Sequence, residues 1–258
     1  MAGTEVPCPR STRFLPFSSR TPARSPPGWR LPVASYLPST AMRVLLSWSS
    51  GKDSAWALHT LRGDGIEVVG LLATLNEEAA RVSMQGVRRE LLLAQAEALG
   101  LTVWEVPLPA PCPNEEYERR MGKAIVRAVS EGITHVAFGD LFLEDVRAYR
   151  EEMMAPTGIE PLFPIWCGET GTRALAERMV ASGVRAVISC VDPTQLDPSF
   201  AGRSWDRTVL PAGVDPLGER GEFHTFCWAG PMFPTPLSIA IGEVIERDGF
   251  WWADLTPE

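Results

Sequence analysis

From Met42 onward the apolar positions follow two alternating patterns: short runs of consecutive apolar residues, and longer stretches with apolar residues three or four apart. The first pattern reads as buried strands and the second as helix faces. On that basis "RVLLSW" is a strand, "SAWALHTLRG" is a helix stopping near Gly63 and Gly65, and "IEVVGLLATL" is a second strand. "GVRRELLLAQAEALG" follows as a helix stopped by Gly100, and "LTVWEVPL" as a third strand. "NEEYERRMGKAIVRAVSEG" predicts a helix capped by Asn114 and ended at Gly132, with "THVAFGD" as the fourth strand. "EDVRAYREEMMAPTG" and "ETGTRALAERMVASG" are helices, the second leading into the strand "VRAVISCV". Strands alternating with helices of this length imply right-handed crossovers. The expected fold is therefore α/β, a doubly wound, mostly parallel sheet covered on both faces.

After Cys190 the pattern breaks. The stretch from Val191 to Phe226 is dense in Pro, Gly and Asp and predicts ordered loops. "LSIAIGEVIERDGFWWADL" alternates around Asp248-Gly249, a strong hairpin turn. The expected organisation is an α/β core over 42–190 and a small C-terminal β-containing lobe over 191–258. Residues 1–41 are rich in Pro, Ser and Arg with Glu5 as the sole acid, a composition that cannot bury enough apolar surface to offset its ordering entropy. They are expected to be a disordered extension, with the fold beginning at Met42.

The formal charge of −8 over 258 residues argues against a broad basic face for DNA or RNA. The cysteines Cys8, Cys112, Cys167, Cys190 and Cys227 are far apart with no CxxC pair, and the 3 histidines lie at no metal-ligand spacing. That pattern fits reduced thiols, without a disulfide framework or a zinc site. No apolar run approaches a membrane span. The expectation is a soluble cytoplasmic protein.

The candidate chemistry lies in "SWSSGKDSAW", Ser47–Trp56, the bend between the first strand and the first helix. Ligands of open parallel sheets sit at the carboxyl ends of the strands, and a helix N-terminus there offers unpaired N–H groups to an anion. Ser49, Ser50 and Gly51 leave the backbone room to wrap phosphate oxygens, Lys52 adds a point charge, and Asp53 suits a magnesium ion. The plain alternative is a capped helix start of the Ser-x-x-Asp kind. A Walker A loop is excluded, because its first glycine would fall on Leu46 and its Ser/Thr on Asp53.

"SSGKDS", Ser49–Ser54, resembles the PP-loop of the N-type ATP pyrophosphatases, usually SGGKDS, with Ser50 at a position where glycine is more common. The resemblance implies an adenine nucleotide alpha hydrolase-like fold that uses ATP and Mg2+. Ser49, Ser50, Gly51, Lys52, Asp53 and Ser54 would hold the β- and γ-phosphates. AMP would be joined to a substrate oxygen, pyrophosphate would leave, and a nucleophile would displace AMP. The missing CxxC pairs disfavour the tRNA-thiolating branches, and Cys227 in "HTFCWAG" lacks the Glu-Cys-Gly context of the sulfonucleotide reductases. Neither Met1 nor Met42 is followed by a cysteine, so no built-in glutaminase is visible.

"FGDLFLEDVRAYREE" (Phe138–Glu152) and "GERGEFHTFCWAGPMF" (Gly218–Phe233) resemble signatures of the diphthine–ammonia ligase family. That resemblance implies amidation of an adenylated carboxylate by ammonia, the carboxylate in eukaryotic and archaeal members being protein-borne diphthine. It assigns Lys52, Asp53, Glu222, Arg147 and Arg150 to catalysis, and Arg147, Arg150, Glu222 and His224 to the substrate side. Thr74, Gly139 and Asp140 join the nucleotide set, Thr74 by fold analogy, with Asp53 and Asp140 as the magnesium pair. Each has a plain alternative: Asp140 as a helix cap, Arg147 and Arg150 on a solvated face with Glu151 and Glu152, and His224 as a structural strand residue. Three rival functions remain at this point: amidation of another small-molecule carboxylate, a non-catalytic ATP or AMP sensor, and tRNA modification, which the acidic composition opposes. The sequence does not set the oligomeric state.

Overall fold

In the computed structural model, residues 42–258 are described; the expected extension over 1–41 lies outside the described residues. The first sheet is six-stranded. Its strands are β1 (Arg43–Ser47), β2 (Glu67–Asn76), β3 (Arg81–Val82), β4 (Thr102–Leu108), β5 (His135–Ala137) and β6 (Glu160–Leu162). All pairs are parallel except β3, which folds back on the end of β2, and the parallel strands lie in the order β4–β2–β1–β5–β6. The chain builds outward from β1 through β2 to β4, then returns to add β5 and β6 on the other side. The crevice beyond the carboxyl ends of β1 and β5 is therefore the topological switch point.

Helices α1 (Lys52–Gly63), α2 (Arg89–Leu99), α3 (Asn114–Ser130) and α4 (Glu144–Met154) make the crossovers, and α5 (Thr172–Ala181) leads out of this sheet. Alternation along β1 divides the core. Val44 and Leu46 point to the side holding Ala55, Leu58, Leu91 and Leu92, whereas Leu45 points to the side holding Ile125, Ala128 and Met154. Asn114 does not cap α3: it is the first helical residue, Pro113 is the N-cap, and no side chain caps that end. Proline's restricted φ suits the chain's entry there, and Glu115 and Glu116 supply negative charge to the first turn.

The strand expected to follow α5 in the parallel sheet is β7 (Arg185–Val191), and it joins a different sheet. It pairs antiparallel with β8 (Phe223–Ala229) and β10 (Phe250–Pro257), and β10 pairs with β9 (Ile239–Arg247). This four-stranded sheet has the order β8–β7–β10–β9. A continuously apolar strand such as β7 announces burial on both faces but does not say in which sheet. Asp248 (φ 56°) and Gly249 (φ 80°) form the turn between β9 and β10. Core residues of both sheets belong to one cluster, in which Ala55 and Leu58 of α1 join Phe223 and Phe226 of β8. Among the described residues, no helix is long and apolar enough to cross a membrane.

Candidate active site

The bend after β1 is held from outside its own segment. Ser50 has a φ of 68°, the left-handed region that a residue with a Cβ enters at a cost of roughly 1 kcal/mol. Its carbonyl is gripped by two donors, the Cys227 N–H at 2.9 Å and Gln95 Nε2 at 3.0 Å. Gln95 also donates to the Cys227 carbonyl at 2.7 Å and accepts from the Trp48 indole N–H at 2.9 Å. One wholly buried amide of α2 thus joins the loop, β8 and the residue after β1. The N-terminus of α1 has no side-chain cap from its own loop; the Lys52 N–H donates instead to Thr225 Oγ1 at 3.2 Å.

Lys52 is 1% exposed. Its ammonium donates to the Leu217 carbonyl at 2.6 Å and to Asp53 Oδ2 at 2.9 Å, and lies 5.4 Å and 5.3 Å from the ring centres of Trp205 and Phe223. The cation is held inside the junction of the two sheets rather than reaching freely over the loop, and its charge is compensated there, as burial demands. Burial pushes the Asp53 carboxyl above the usual carboxylate range, Lys52 opposes the shift, and nearby Asp215 reinforces it. Two polar atoms of this bend, Ser50 Oγ and Asp53 Oδ1, are buried without a hydrogen-bond partner. Native structures rarely leave such atoms unpaired. Ser49 Oγ and Ser54 Oγ lie 3.2 Å apart beside them, and Gly51 is the helix N-cap.

The end of β5 closes on the same spot. A Cβ on Gly139 would come within 3.1 Å of the Asp53 carbonyl carbon and the Ser54 nitrogen, so any side chain there would press the two backbones apart by a few tenths of an ångström. Asp140 is engaged by Arg150 through a bidentate pair at 2.5 Å and 3.2 Å, and the Arg150 guanidinium lies 4.2 Å from the Phe138 ring centre. Next to it, Glu219 accepts from the Leu141 N–H at 2.7 Å. Burial raises the Glu219 carboxyl to about 8, with Asp53 and Asp140 adding to the shift. Asp215 accepts from the Glu219 N–H at 2.9 Å. Around Lys52 the structure therefore gathers Asp53, Asp215 and Glu219, with Asp140 and Arg150 on the adjoining rim.

The remaining expected residues are placed otherwise. The Glu222 carboxylate is spent on its own loop, accepting from the Asp215 N–H at 3.0 Å and the Arg220 N–H at 3.1 Å. The loop over 215–222 turns these N–H groups inward, and a buried carboxylate answers them. His224 pairs with Cys190 across β7 and β8, one position from Thr225 and hence on the opposite face of the strand. Burial, with Lys52 contributing, lowers its imidazole to about 4, so it is neutral near pH 7. Arg147 pairs with Glu151 at 2.8 Å and lies over Phe163 and Trp166, 4.7 Å and 5.0 Å from their ring centres. Thr74 is on β2 toward its carboxyl end, its carbonyl accepting from the Ser83 N–H.

The sequence reading passed over Gln95, Thr225, Asp215 and Glu219. Gln95 did carry a signal, as a polar residue in the stripe Leu91, Leu92, Ala96 and Leu99 that α2 buries. Glu219 carried none that would separate it from Glu222 in "GERGE".

Among the described residues no group of three or more His, Cys, Asp or Glu could by itself hold a metal ion. The orphaned Asp53 Oδ1 nonetheless suits a magnesium ion that takes most of its ligands from water and phosphate, the usual arrangement for that ion.

A loop of this composition at the switch point of this sheet defines a PP-loop protein of the ATP pyrophosphatase superfamily. Residues 42–161 match the family model described as the diphthamide synthase N-terminal domain. Diphthine–ammonia ligase of Bos taurus is 24% identical over 230 residues, covering 79% of this chain and 85% of that protein. The Homo sapiens protein of the same name is 23% identical over 230 residues, and that of Danio rerio 25% over 228. In both comparisons the chain is similar to the diphthine–ammonia ligase family. A solved U34-tRNA thiolase, NcsA from Methanococcus maripaludis, aligns with a TM-score of 0.34 at 18% identity over 54% of this chain and 57% of that one, too distant to carry an argument.

Proposed function

We propose that this protein is an ATP-dependent carboxylate–ammonia ligase. A carboxylate oxygen attacks the α-phosphorus of ATP, the α–β phosphoanhydride breaks, and pyrophosphate leaves. Ammonia then adds to the acyl carbon of the adenylate, AMP departs with the bridging oxygen, and one proton is released as the amide forms.

The observation that carries this reading is the pair of buried, partnerless atoms, Ser50 Oγ and Asp53 Oδ1, at the N-terminus of α1. Polar atoms left in that state at a helix start suit a bound polyphosphate and its counter-ion. Ser49, Ser50, Gly51 and Ser54 bind the departing pyrophosphate, and Lys52 supplies fixed positive charge from behind the loop. Asp53 would hold Mg2+, which when bound neutralises phosphate charge. Asp140 reaches the same ion only by giving up Arg150, which otherwise positions it. Gly139 allows the nucleotide to lie against the end of β5, with Thr74 on the adenine side.

Glu219 takes an acid–base role, in place of the catalytic role expected of Glu222. A carboxyl raised to about 8 is mostly protonated at neutral pH, and its ionised fraction is basic enough to take the proton that ammonia sheds once it has added to the acyl carbon. Glu222 holds the loop that carries Glu219, and Arg147 and His224 are left without a catalytic role. The acceptor is assigned as a carboxylate. At 23–25% identity the diphthine named for the relatives does not carry over by itself.

The test is incubation with Mg-ATP, labelled ammonium and two sets of acceptors, diphthine-bearing protein and small carboxylic acids. The expected products are AMP, pyrophosphate and amide in equal amounts, with one 18O passing from labelled carboxylate into AMP. Formation of ADP and phosphate, or nucleotide that stays bound without turnover in the presence of every acceptor, would refute the reading.

A further inference from the structure

The strongest unassigned feature lies away from the nucleotide loop, at the outer edge of the second sheet. β9 is the last strand in the order β8–β7–β10–β9, and among the described residues no strand pairs with its outer side. Edge strands are commonly shielded by proline, by charges such as lysine, by bulges or by very short length. β9 has an irregularity at Gly242-Glu243 and the charges Glu243, Glu246 and Arg247. β9 has nine residues, "IAIGEVIER", with no proline or lysine. Its large apolar residues face water: Ile241 is 50% exposed, Val244 39% and Ile245 43%. The hairpin is lightly rooted as well, since β10 pairs with β7 only through Trp251 and Trp252. A two-stranded ribbon is marginally stable unless another strand or helix supports it.

We propose that a second copy of this chain pairs antiparallel along β9, about a two-fold axis at Ile245, so that the four-stranded sheets of two molecules become one continuous sheet. The register follows from charge. When a strand pairs antiparallel with its own copy, the two-fold axis must pass through a residue, because opposed residues have the same hydrogen-bonding orientation. Centring on Glu243 or Glu246 sets like charges face to face. Centring on Val244 leaves Glu243 opposite Ile245, and Arg247 opposite Ile241. Centring on Ile245 sets Glu243 of each copy opposite Arg247 of the other, twice by symmetry, and Ile245 opposite itself. Ile245 is also the cross-strand neighbour of Trp252, and Arg247 lies 5.2 Å from that ring centre. The junction then has an apolar row, Trp252–Ile245 from each copy, flanked by two ion pairs.

Sedimentation velocity of the full chain over a range of concentrations tests this, with ATP binding and thermal melting as checks on folding. A dimer is expected. Glu243→Arg and Arg247→Glu, each placing like charges opposite one another at two symmetric positions, should weaken it roughly tenfold or more. The double variant Glu243→Arg/Arg247→Glu should restore most of the loss, which a merely unfolded strand could not do. Ile245→Lys should give a folded monomer. A parent protein that stays monomeric at every concentration overturns the proposal, as does a dimer indifferent to both single reversals or a double variant no better than its parents. A monomer whose β9 amides resist hydrogen exchange would assign that edge to another segment of the same chain and equally overturn it.

Discussion

Replacing Gln95 with leucine tests whether the nucleotide loop is held in shape by α2. The side chain is wholly buried and makes three hydrogen bonds, to the Trp48 indole N–H (2.9 Å), the Ser50 carbonyl (3.0 Å) and the Cys227 carbonyl (2.7 Å). In Gln95→Leu the Ser50 carbonyl keeps the Cys227 N–H at 2.9 Å. The Trp48 N–H and the Cys227 carbonyl lose the partner that Gln95 supplies. Leaving a buried polar group unpaired costs about 1–3 kcal/mol, and leucine's apolar surface recovers roughly 1–2 kcal/mol of the total. The net loss should be about 2–4 kcal/mol, a large share of the roughly 5–15 kcal/mol that holds a protein folded. That corresponds to a fall in Tm of about 5–15 °C for a chain of this size. Urea titration followed by tryptophan fluorescence measures the first figure and calorimetry the second. ATP affinity should fall as well, because Ser50 at φ 68° relies on both donors. A loss below about 1 kcal/mol with unchanged ATP affinity would show that the loop holds its shape without this amide.

Other outcomes follow from the same geometry. Thr225→Val keeps the side chain's shape but removes the cap on α1, and should cost about 1 kcal/mol by denaturant titration; no change would mean that water serves equally well. Gly139→Ala places a methyl 3.1 Å from the backbone of Asp53 and Ser54, so AMP formation should drop sharply with a stability loss of about 1–3 kcal/mol, whereas parental turnover would disprove the close approach. Folded Glu219 keeps its proton up to about 8 while the unfolded chain releases it near the ordinary 4.5, so this residue's contribution to stability falls as pH rises between those values. Glu219→Gln removes that slope. Melts at about pH 5 and about pH 8 should shift in the variant's favour by on the order of 2 kcal/mol, and parallel pH profiles would refute the raised value.

The α/β alternation was legible because each strand and helix is written in a local period: "RVLLS" buries both faces, and α2 repeats its apolar residues at helical spacing. The nucleotide loop was legible for a related reason, since a tight anion-binding bend needs small residues in an uninterrupted run. Tertiary structure decided the rest. β7 reads like any buried strand, and only pairing with β8 and β10 removed it from the parallel sheet. Glu219 and Glu222 stand three positions apart in one short motif. Which of them turns toward Lys52 and which closes its own loop depends on where the N–H groups of Leu141, Asp215 and Arg220 point after folding. Gln95 meets Ser50 across 45 positions and Cys227 across 132. Periodicity and composition are properties of neighbours along the chain, so they determined the elements and the bend; the environment of a buried polar group is made by distant segments, and only the packed molecule brings those together.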